Sequence, residues 1–226
     1  RTTSALETQL AACEQRGATG GVLAADLSSA GKASDAGQAI LDRIGVPDNL
    51  VCNAGVSNDA QFLDSELAAI EYELGVNYVA PLSLIRTLLP HMRGQPRSIV
   101  AVSSLTVHVP FPGNATYAAS KAAMSCFMRS LRIELRNDSL HVGVVLPGYT
   151  DTAMSDSVET PLNAMAPSKV AEAVELCIRE RRDCVIPGIA NRIAARVCRS
   201  LPELSDPLFA RLGEFMVSLS NRRSAG

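Results

Sequence analysis

Tyr117 and Lys121 are the residues of this sequence whose types and spacing most clearly suggest proton chemistry. A spacing of four residues places the phenol and the ammonium on one face of a helix. A phenol ordinarily ionises near pH 10, so an isolated tyrosine is a poor acid or base at neutral pH. Because a nearby ammonium favours the phenolate, we expect Lys121 to lower the pKa of Tyr117 toward the working range. The pair by itself also fits a surface cation beside an ordinary tyrosine.

Small and hydroxyl-bearing residues follow several apolar runs at the point where each run ends. These residues are Asn53-Ala54-Gly55, Ser104 and Pro147-Gly148, the last followed by Thr150 and Thr152. Parallel α/β sheets bind ligands at the carboxyl ends of their strands. Small residues there allow a flat ligand to approach the backbone, and the hydroxyl groups suit a carbonyl, a carboxamide or a phosphate. The shared position of these groups predicts one binding site.

The elements that position these groups alternate between strand-like and helix-like stretches, which predicts an α/β fold with a doubly wound, Rossmann-type parallel sheet. We predict strands at 21–27, 49–52, 98–103, 140–146 and 184–186. Helices are predicted at 4–17, opened by a capping box at Ser4 and Glu7, and at 29–44, 66–92, 115–136 and 167–181. With no repeat or linker, the chain is interpreted as a single domain, 1–226.

The segment after Gly188 is predicted to form two amphipathic helices broken by Pro202 and Pro207. Apolar residues form a stripe on the second helix at positions Leu208, Phe209, Leu212, Phe215, Met216 and Leu219. The stripe fits a lid or packing helix. A subunit contact, or association with a membrane surface beside Arg192, Arg196 and Arg199, remains open.

Composition excludes several classes of protein. A formal net charge of −2 over 226 residues argues against a nucleic-acid binder. No apolar run approaches the roughly 18 residues that span a bilayer, and nothing resembles a signal peptide. Six scattered cysteines without a Cys-x-x-Cys pair indicate free thiols in a reducing compartment, so we expect a cytoplasmic protein. Three scattered histidines predict no metal site.

The order of these residues resembles the short-chain dehydrogenase/reductase family, from about Gly21 to Ile186. The resemblance rests on Asp26-Leu27, Asn53-Ala54-Gly55, Asn77, Ser104, Tyr117-x-x-x-Lys121 and Pro147-Gly148. It implies an oxidoreductase that interconverts a carbonyl and an alcohol by hydride transfer with NAD(P)(H). The cofactor performs the redox chemistry, and the protein supplies position and proton handling.

The resemblance also implies roles for individual residues. Tyr117 would be the proton donor or acceptor, Ser104 would orient and polarise the substrate oxygen, and Lys121 would lower the Tyr117 pKa and bind the nicotinamide ribose. Asn77 would hold a water that relays the proton, and spacing favours Ser104 over Ser103. The implied cofactor contacts are Asp26, Leu27, Asn53, Ala54, Gly55, Tyr117, Lys121, Pro147, Gly148, Thr150 and Thr152, with Asp26 at the adenine and Thr152 at the carboxamide.

The sequence departs from the family pattern at the glycine-rich turn that places a pyrophosphate on a helix N-terminus. Compared with the family, the given chain starts just after the second strand. We therefore expect strands 21–27 and 49–52 to have unpaired edges near the centre of the sheet. Either the sequence is a truncated record of an intact enzyme, or the loss is real and the product is a non-catalytic binding or scaffold relative.

The remaining expectations concern ligand and assembly. Arg1 would fall where the family's basic residue pairs with the 2′-phosphate, which favours NADP, with NAD possible. Asp156, Val158, Leu162 and Met165, with the apolar tail helix, are expected to line a pocket for a fairly apolar small-molecule ketone or alcohol. The helices at 66–92 and 115–136 are the family's subunit contact surface, so we expect a homodimer or homotetramer.

Overall fold

Four parallel strands form the sheet at the centre of the computed structural model, which describes residues 3–109, 111–152 and 164–211. The strands are β1 (Asn49–Cys52), β2 (Ser98–Val102), β3 (His141–Val145) and β4 (Cys184–Val185). Their order in the sheet is β1-β2-β3-β4, with Cys52 opposite Ala101 and Val102 opposite Val145. All four carboxyl ends therefore open onto the same edge of the sheet.

Helices cover both faces of this sheet. In chain order the helices are α1 (Thr3–Glu14), which has no buried residue, α2 (Ala30–Arg43), α3 (Leu67–Leu74), α4 (Ala80–Met92), α5 (Ala115–Glu134), α6 (Pro167–Arg179) and α7 (Ile189–Ser200). On one face, side chains such as Ile99 and Val142 pack against α4 and α5. On the other face, Val100 and Val145 pack against α6. Burial on both faces explains the apolar runs of β2 and β3 and confirms the predicted Rossmann-type parallel sheet.

The predicted strand at 21–27 is wrong. These residues form no strand, and β1 is instead the outermost strand on its side of the sheet among the described residues. A strand requires a neighbour to accept and donate its backbone hydrogen bonds, and none of the described strands lies on the outer side of β1. Val51 is accordingly 40% exposed, as expected for an apolar strand with an unpaired edge.

The helix predicted at 66–92 is interrupted. It divides into α3, a π turn at Gly75–Val79, and α4. A π turn inserts one residue into the helical register, which an analysis based on a 3.6-residue period does not detect. Gly75 also packs closely, because a Cβ there would lie 3.3 Å from the Ser28 carbonyl oxygen. The π turn contains Asn77, one of the predicted site residues.

The first helix begins differently from the prediction. Helix α1 starts at Thr3, so Ser4 lies inside the helix and is not the N-cap that the capping box required. No residue of α1 is buried. By contrast, the Ser29 hydroxyl caps α2 by accepting from Lys32 N, as the predicted start at 29 implies.

The end of the described chain is helical at 202–211, a run that contains Pro207. The predicted break at Pro207 is therefore wrong. A proline removes one backbone hydrogen-bond donor from a helix, and here the helix continues through that position. Phe209 contacts Phe111 with ring centroids 5.7 Å apart. Four members of the predicted stripe, Leu212, Phe215, Met216 and Leu219, lie outside the described residues. Within the described part, no helix is long and apolar enough to span a bilayer.

Candidate active site

Tyr117 and Lys121 lie in the first two turns of α5, and Ser104 is the second residue after β2 at the carboxyl edge of the sheet. Ser104 begins a short 3-10 turn, Leu105–Val107, where its Oγ accepts a hydrogen bond from Thr106 N at 3.2 Å. The Lys121 Nζ atom lies 5.7 Å from the centroid of the Tyr117 ring. The structure thus brings these three residues together.

Lys121 is buried, with only 5% of its surface exposed. Its Nζ donates a hydrogen bond to the Val102 carbonyl at the end of β2, at 3.2 Å. Burial lowers the pKa of Lys121 to about 8, and the charge of Glu73 raises it against that effect. The Lys121 ammonium therefore lies at the carboxyl edge of the sheet, where burial has removed much of its hydration.

The pKa of Tyr117 changes in the direction opposite to the one we expected. Burial raises the pKa above its ordinary value, and the charges of Glu73 and Asp59 raise it further. Hydrogen bonding from Ser104 acts in the other direction and lowers it. In this state the loss of hydration is the dominant effect, because it disfavours the charged phenolate.

Asn77 connects the π turn to the loop after β1 and to α5. Its Nδ2 donates to the Val56 carbonyl at 2.8 Å and to Ser120 Oγ at 2.9 Å, while its Oδ1 accepts from Val56 N at 2.8 Å. Ser120 in turn donates to the Tyr117 carbonyl at 2.7 Å. Both amide protons of Asn77 are therefore occupied by protein acceptors, which leaves only Oδ1 able to contact a water.

The two serines after β2 have different surroundings. Ser103 Oγ donates to the Lys121 carbonyl at 2.9 Å and accepts from Ser125 Oγ at 2.8 Å. Ser103 therefore ties α5 to the end of β2. Ser104 hydrogen-bonds to Tyr117, and its role in orienting a substrate oxygen stays a prediction.

The Asn53-Ala54-Gly55 segment leaves β1 next to the buried lysine. A Cβ on Gly55 would lie 3.1 Å from Lys121 Nζ and 3.2 Å from Asn77 Oδ1, closer than ordinary van der Waals contact. Asn53 and Ala54 line a cavity of about 80 Å³ together with Leu27. The glycine explains how the loop passes so close to the two polar side chains.

The Pro147-Gly148 segment follows β3 at the same edge. Leu105 N donates to the Pro147 carbonyl at 2.7 Å, which joins this segment to the turn after Ser104. The Thr150 hydroxyl donates to the Gly148 carbonyl at 3.0 Å. Residues Thr150 and Met165 form an isolated parallel bridge, so Met165 lies beside the predicted cofactor contacts.

The remaining predicted residues are placed apart from this cluster or lie outside the described residues. Asp26 lies before α2 and pairs with Lys32 at 2.6 Å, and this bond lowers the Asp26 pKa to about 2. Thr152 is the last described residue before 153–163. Arg1, Asp156, Val158 and Leu162 lie outside the described residues.

Sequence reasoning missed Glu73, which is fully buried in α3. Its Oε1 accepts from Asn58 N at 2.9 Å, and its charge affects both Lys121 and Tyr117. The available signal was its position four residues before Asn77 on a predicted helix, which puts both residues near one face. An acidic residue in an amphipathic helix is ordinarily solvated, and for that reason the signal was overlooked.

The chain matches a known family of proteins over most of its length. Residues 1–163 match the family model described as short chain dehydrogenase. The chain belongs to the short-chain dehydrogenase family. Membership agrees with the resemblance in the sequence and with the parallel sheet.

Individual family members with curated descriptions are about one third identical to the chain. The chain is 34% identical over 140 residues to dehydrogenase/reductase SDR family member 7B of Rattus norvegicus, covering 62% of this chain and 43% of the relative. It is 30% identical over 193 residues to the Xenopus laevis protein of the same name, covering 79% of this chain and 60% of the relative. The chain thus spans about half the length of the curated relatives it matches.

Solved structures of family members share the fold. A short chain dehydrogenase from Burkholderia cenocepacia, solved with NADP, is 28% identical with a TM-score of 0.72, covering 84% of this chain and 80% of that one. A short chain dehydrogenase/reductase from Burkholderia phymatum, solved with NAD, has a TM-score of 0.78 at 21% identity, covering 89% of this chain and 82% of that one. The second likeness shows the fold alone.

Proposed function

We propose that this chain carries the catalytic residues of an oxidoreductase that interconverts a carbonyl and an alcohol, with Tyr117 as general acid and base. The observation that supports the proposal is the convergence of Ser104, Tyr117 and Lys121 at the carboxyl ends of β1 to β3, next to Gly55. Membership of the family supports the class of reaction, and the geometry supports the assignment of roles.

The protein's part in the reaction is to position the substrate and move one proton. A bound nicotinamide supplies or accepts the hydride. In reduction, the Tyr117 hydroxyl gives its proton to the carbonyl oxygen as the alcohol forms, and in oxidation the phenolate takes it back. The Ser104 hydroxyl orients that oxygen, and the Lys121 ammonium stabilises the phenolate. Burial raises the Tyr117 pKa, so the phenol carries the proton that reduction consumes, and Lys121 has to stabilise the phenolate that forms.

The residues present fit the nicotinamide end of a dinucleotide. Gly55 leaves room that a Cβ would fill, beside the buried Lys121 and Asn77. Asn53, Gly55, Tyr117 and Lys121 would hold the nicotinamide and its ribose, and Gly148 with the two threonines would contact the carboxamide side. We propose NADP as the cofactor, with NAD as the alternative, supported by the Burkholderia cenocepacia relative that was solved with NADP.

The substrate, assembly and location are also proposals. Met165 beside the Gly148 segment supports a fairly apolar ketone or alcohol as substrate. Exposed apolar residues on the two predicted contact helices, Tyr72, Val79 and Ile133, support a homodimer or homotetramer. All six cysteines are free thiols, which supports a reducing compartment such as the cytoplasm.

The cofactor proposal is tested by fluorescence titration with NADPH and NADH. We expect NADPH to bind more tightly than NADH. Gly55→Ala should weaken binding by about tenfold or more, which corresponds to about 1.4 kcal/mol of binding free energy, because the added methyl group fills the space beside Lys121 and Asn77. Gly31→Ala is the matched control, since a Cβ at Gly31 meets nothing within 4 Å. Equal titrations for the two variants would contradict the placement of the nicotinamide at Gly55.

The catalytic proposal is tested by turnover of NADPH with a panel of ketones of increasing apolar size. Tyr117→Phe should abolish turnover, whereas Tyr72→Phe, on an exposed residue of α3, should leave it unchanged. NADPH binding without turnover of any substrate would instead favour the non-catalytic binding relative.

A further inference from the structure

Glu73 is an acidic side chain that is fully buried, and apolar packing does not explain why an acid occupies this position. The residue is 0% exposed and lies in α3, one helical turn before the π turn that contains Asn77. Its Oε1 accepts a hydrogen bond from Asn58 N at 2.9 Å, while its Oε2 is buried without a hydrogen-bond partner among the described residues. Burying a carboxylate is strongly unfavourable unless another charge compensates it.

Glu73 and Asn77 hold the same loop. Asn77 binds both backbone polar groups of Val56, and Glu73 binds the amide of Asn58 two residues later. The loop between them and β1 contains Gly55, which passes next to Lys121. The side chains of Glu73 and Asn77, four residues apart, thus anchor the loop after β1 that passes next to Lys121.

A positive charge that Glu73 acts on, Lys121, lies on α5, which packs against α3. Lys121 is 5% exposed, and within the described part of the chain its Nζ has one hydrogen bond, to the Val102 carbonyl. An ammonium can donate three hydrogen bonds, so a single neutral acceptor does not replace its hydration. Glu73 and Lys121 are therefore two buried, incompletely satisfied groups of opposite charge on packed helices.

We propose that Glu73 is a positioning residue of this site, whose buried carboxylate anchors the loop after β1 through Asn58 and serves as the counter-charge of Lys121. The inference rests on the proposed oxidoreductase function, because it concerns the groups that handle the proton. Other titratable groups that face Lys121 and Tyr117 are Cys52 at the end of β1 and Asp59 in the loop. Of these groups, Glu73 is the one whose charge acts on both Lys121 and Tyr117, and it is the largest charge effect on each.

The sign of the effect follows from the charge. The carboxylate favours the protonated form of Lys121 and disfavours the phenolate of Tyr117, so it raises the pKa of both groups. Glu73→Gln keeps an oxygen for Asn58 N and removes the charge. We therefore expect both titration midpoints to move to lower pH in this variant, with the Lys121 midpoint falling below about 8.

The experiment titrates the two groups directly in the full chain without cofactor. Tyr117 is followed by phenolate absorbance, with the Tyr117→Phe variant subtracted to remove the other three tyrosines. Lys121 is followed by NMR of isotope-labelled lysine side chains, and Lys121→Met assigns its signal among three lysines. Glu71→Gln, on an exposed residue of the same helix, is the matched control and should shift neither midpoint.

A folded Glu73→Gln variant with unchanged midpoints would overturn the proposal and leave Glu73 a purely structural residue. If the variant does not fold, the wild-type protein provides the test. The carboxyl carbon signal of Glu73 should then change across the Lys121 titration, and a signal that does not respond would overturn the proposal. Neither measurement needs nucleotide or substrate, so its failure is distinguishable from a failure of the proposed oxidoreductase function.

Discussion

Asn77 and Val56 exchange two hydrogen bonds of 2.8 Å each, with the side-chain amide of one residue pairing with the backbone of the other. The pairing resembles the pairing of two neighbouring strands, although a helix side chain provides one partner. It fixes the loop that leaves β1 at the residue after Gly55. The position of this loop beside Lys121 therefore depends on a residue in the π turn.

Replacing Asn77 with alanine should loosen this loop and destabilise the protein. The change removes the two bonds to Val56 and one to Ser120, and it leaves partly buried backbone groups of Val56 without these partners. We expect the free energy of unfolding to fall by about 2–4 kcal/mol, measured by urea denaturation. Asn137→Ala, on an exposed residue, is the control and should change it by less than about 0.5 kcal/mol. Equal stabilities for the two variants would show that the Asn77 bonds contribute nothing.

Ser103→Ala and Ser104→Ala should separate stability from catalysis. Ser103 joins α5 to β2, so its loss should lower the free energy of unfolding by about 1–2 kcal/mol and leave kcat within a few-fold. Ser104 faces Tyr117, so its loss should lower kcat about a hundredfold with little change in stability. Urea denaturation and steady-state kinetics on the same preparations test both effects. The reverse pattern would assign the substrate-orienting role to Ser103.

Lys121 should make the stability of the protein depend on pH in a defined window. Its folded pKa of about 8 lies below the ordinary value of 10.5, so between these values the unfolded chain binds more protons and stability rises with pH. Below about pH 8 both states are protonated, and the full desolvation cost, on the order of 3 kcal/mol, is present.

The comparison of wild type with Lys121→Met isolates this contribution. The difference in unfolding free energy, wild type minus variant, should be flat below about pH 8 and should rise toward pH 10.5. Urea denaturation at a series of pH values measures it. A difference that stays constant through this window would mean that Lys121 keeps its ordinary pKa in the folded protein.

Much of the fold could be predicted because the apolar runs of β2 and β3 are buried and continuous in sequence, and β1 is a shorter apolar run with Leu50 buried. The strand at 21–27 could not be excluded, because the pattern reports which residues can form a strand and not whether a partner strand is present. The π turn was missed for a similar reason, since an inserted residue leaves the surrounding helical period intact.

The sequence predicts only part of the candidate site. Tyr117 and Lys121 share a helix, so their spacing in sequence predicts their proximity. The predicted direction of the Tyr117 pKa shift was wrong. The shift depends on burial and on the charges of Glu73 and Asp59, which belong to other elements of the fold. Spacing favoured Ser104 over Ser103 for the site, but the sequence does not show that Ser103 bonds to the Lys121 carbonyl and to Ser125.

The most direct test of the central claim follows the hydride itself. The protein is incubated with a ketone that it turns over and with NADPH deuterated at either face of the nicotinamide, and the product is analysed by mass spectrometry. With one of the two labelled cofactors, we expect a deuterated alcohol from the wild type and from Tyr72→Phe; Tyr117→Phe should give none with either label, although that variant still binds NADPH. Equal deuterium transfer by Tyr117→Phe would contradict the assignment of Tyr117 as the proton donor.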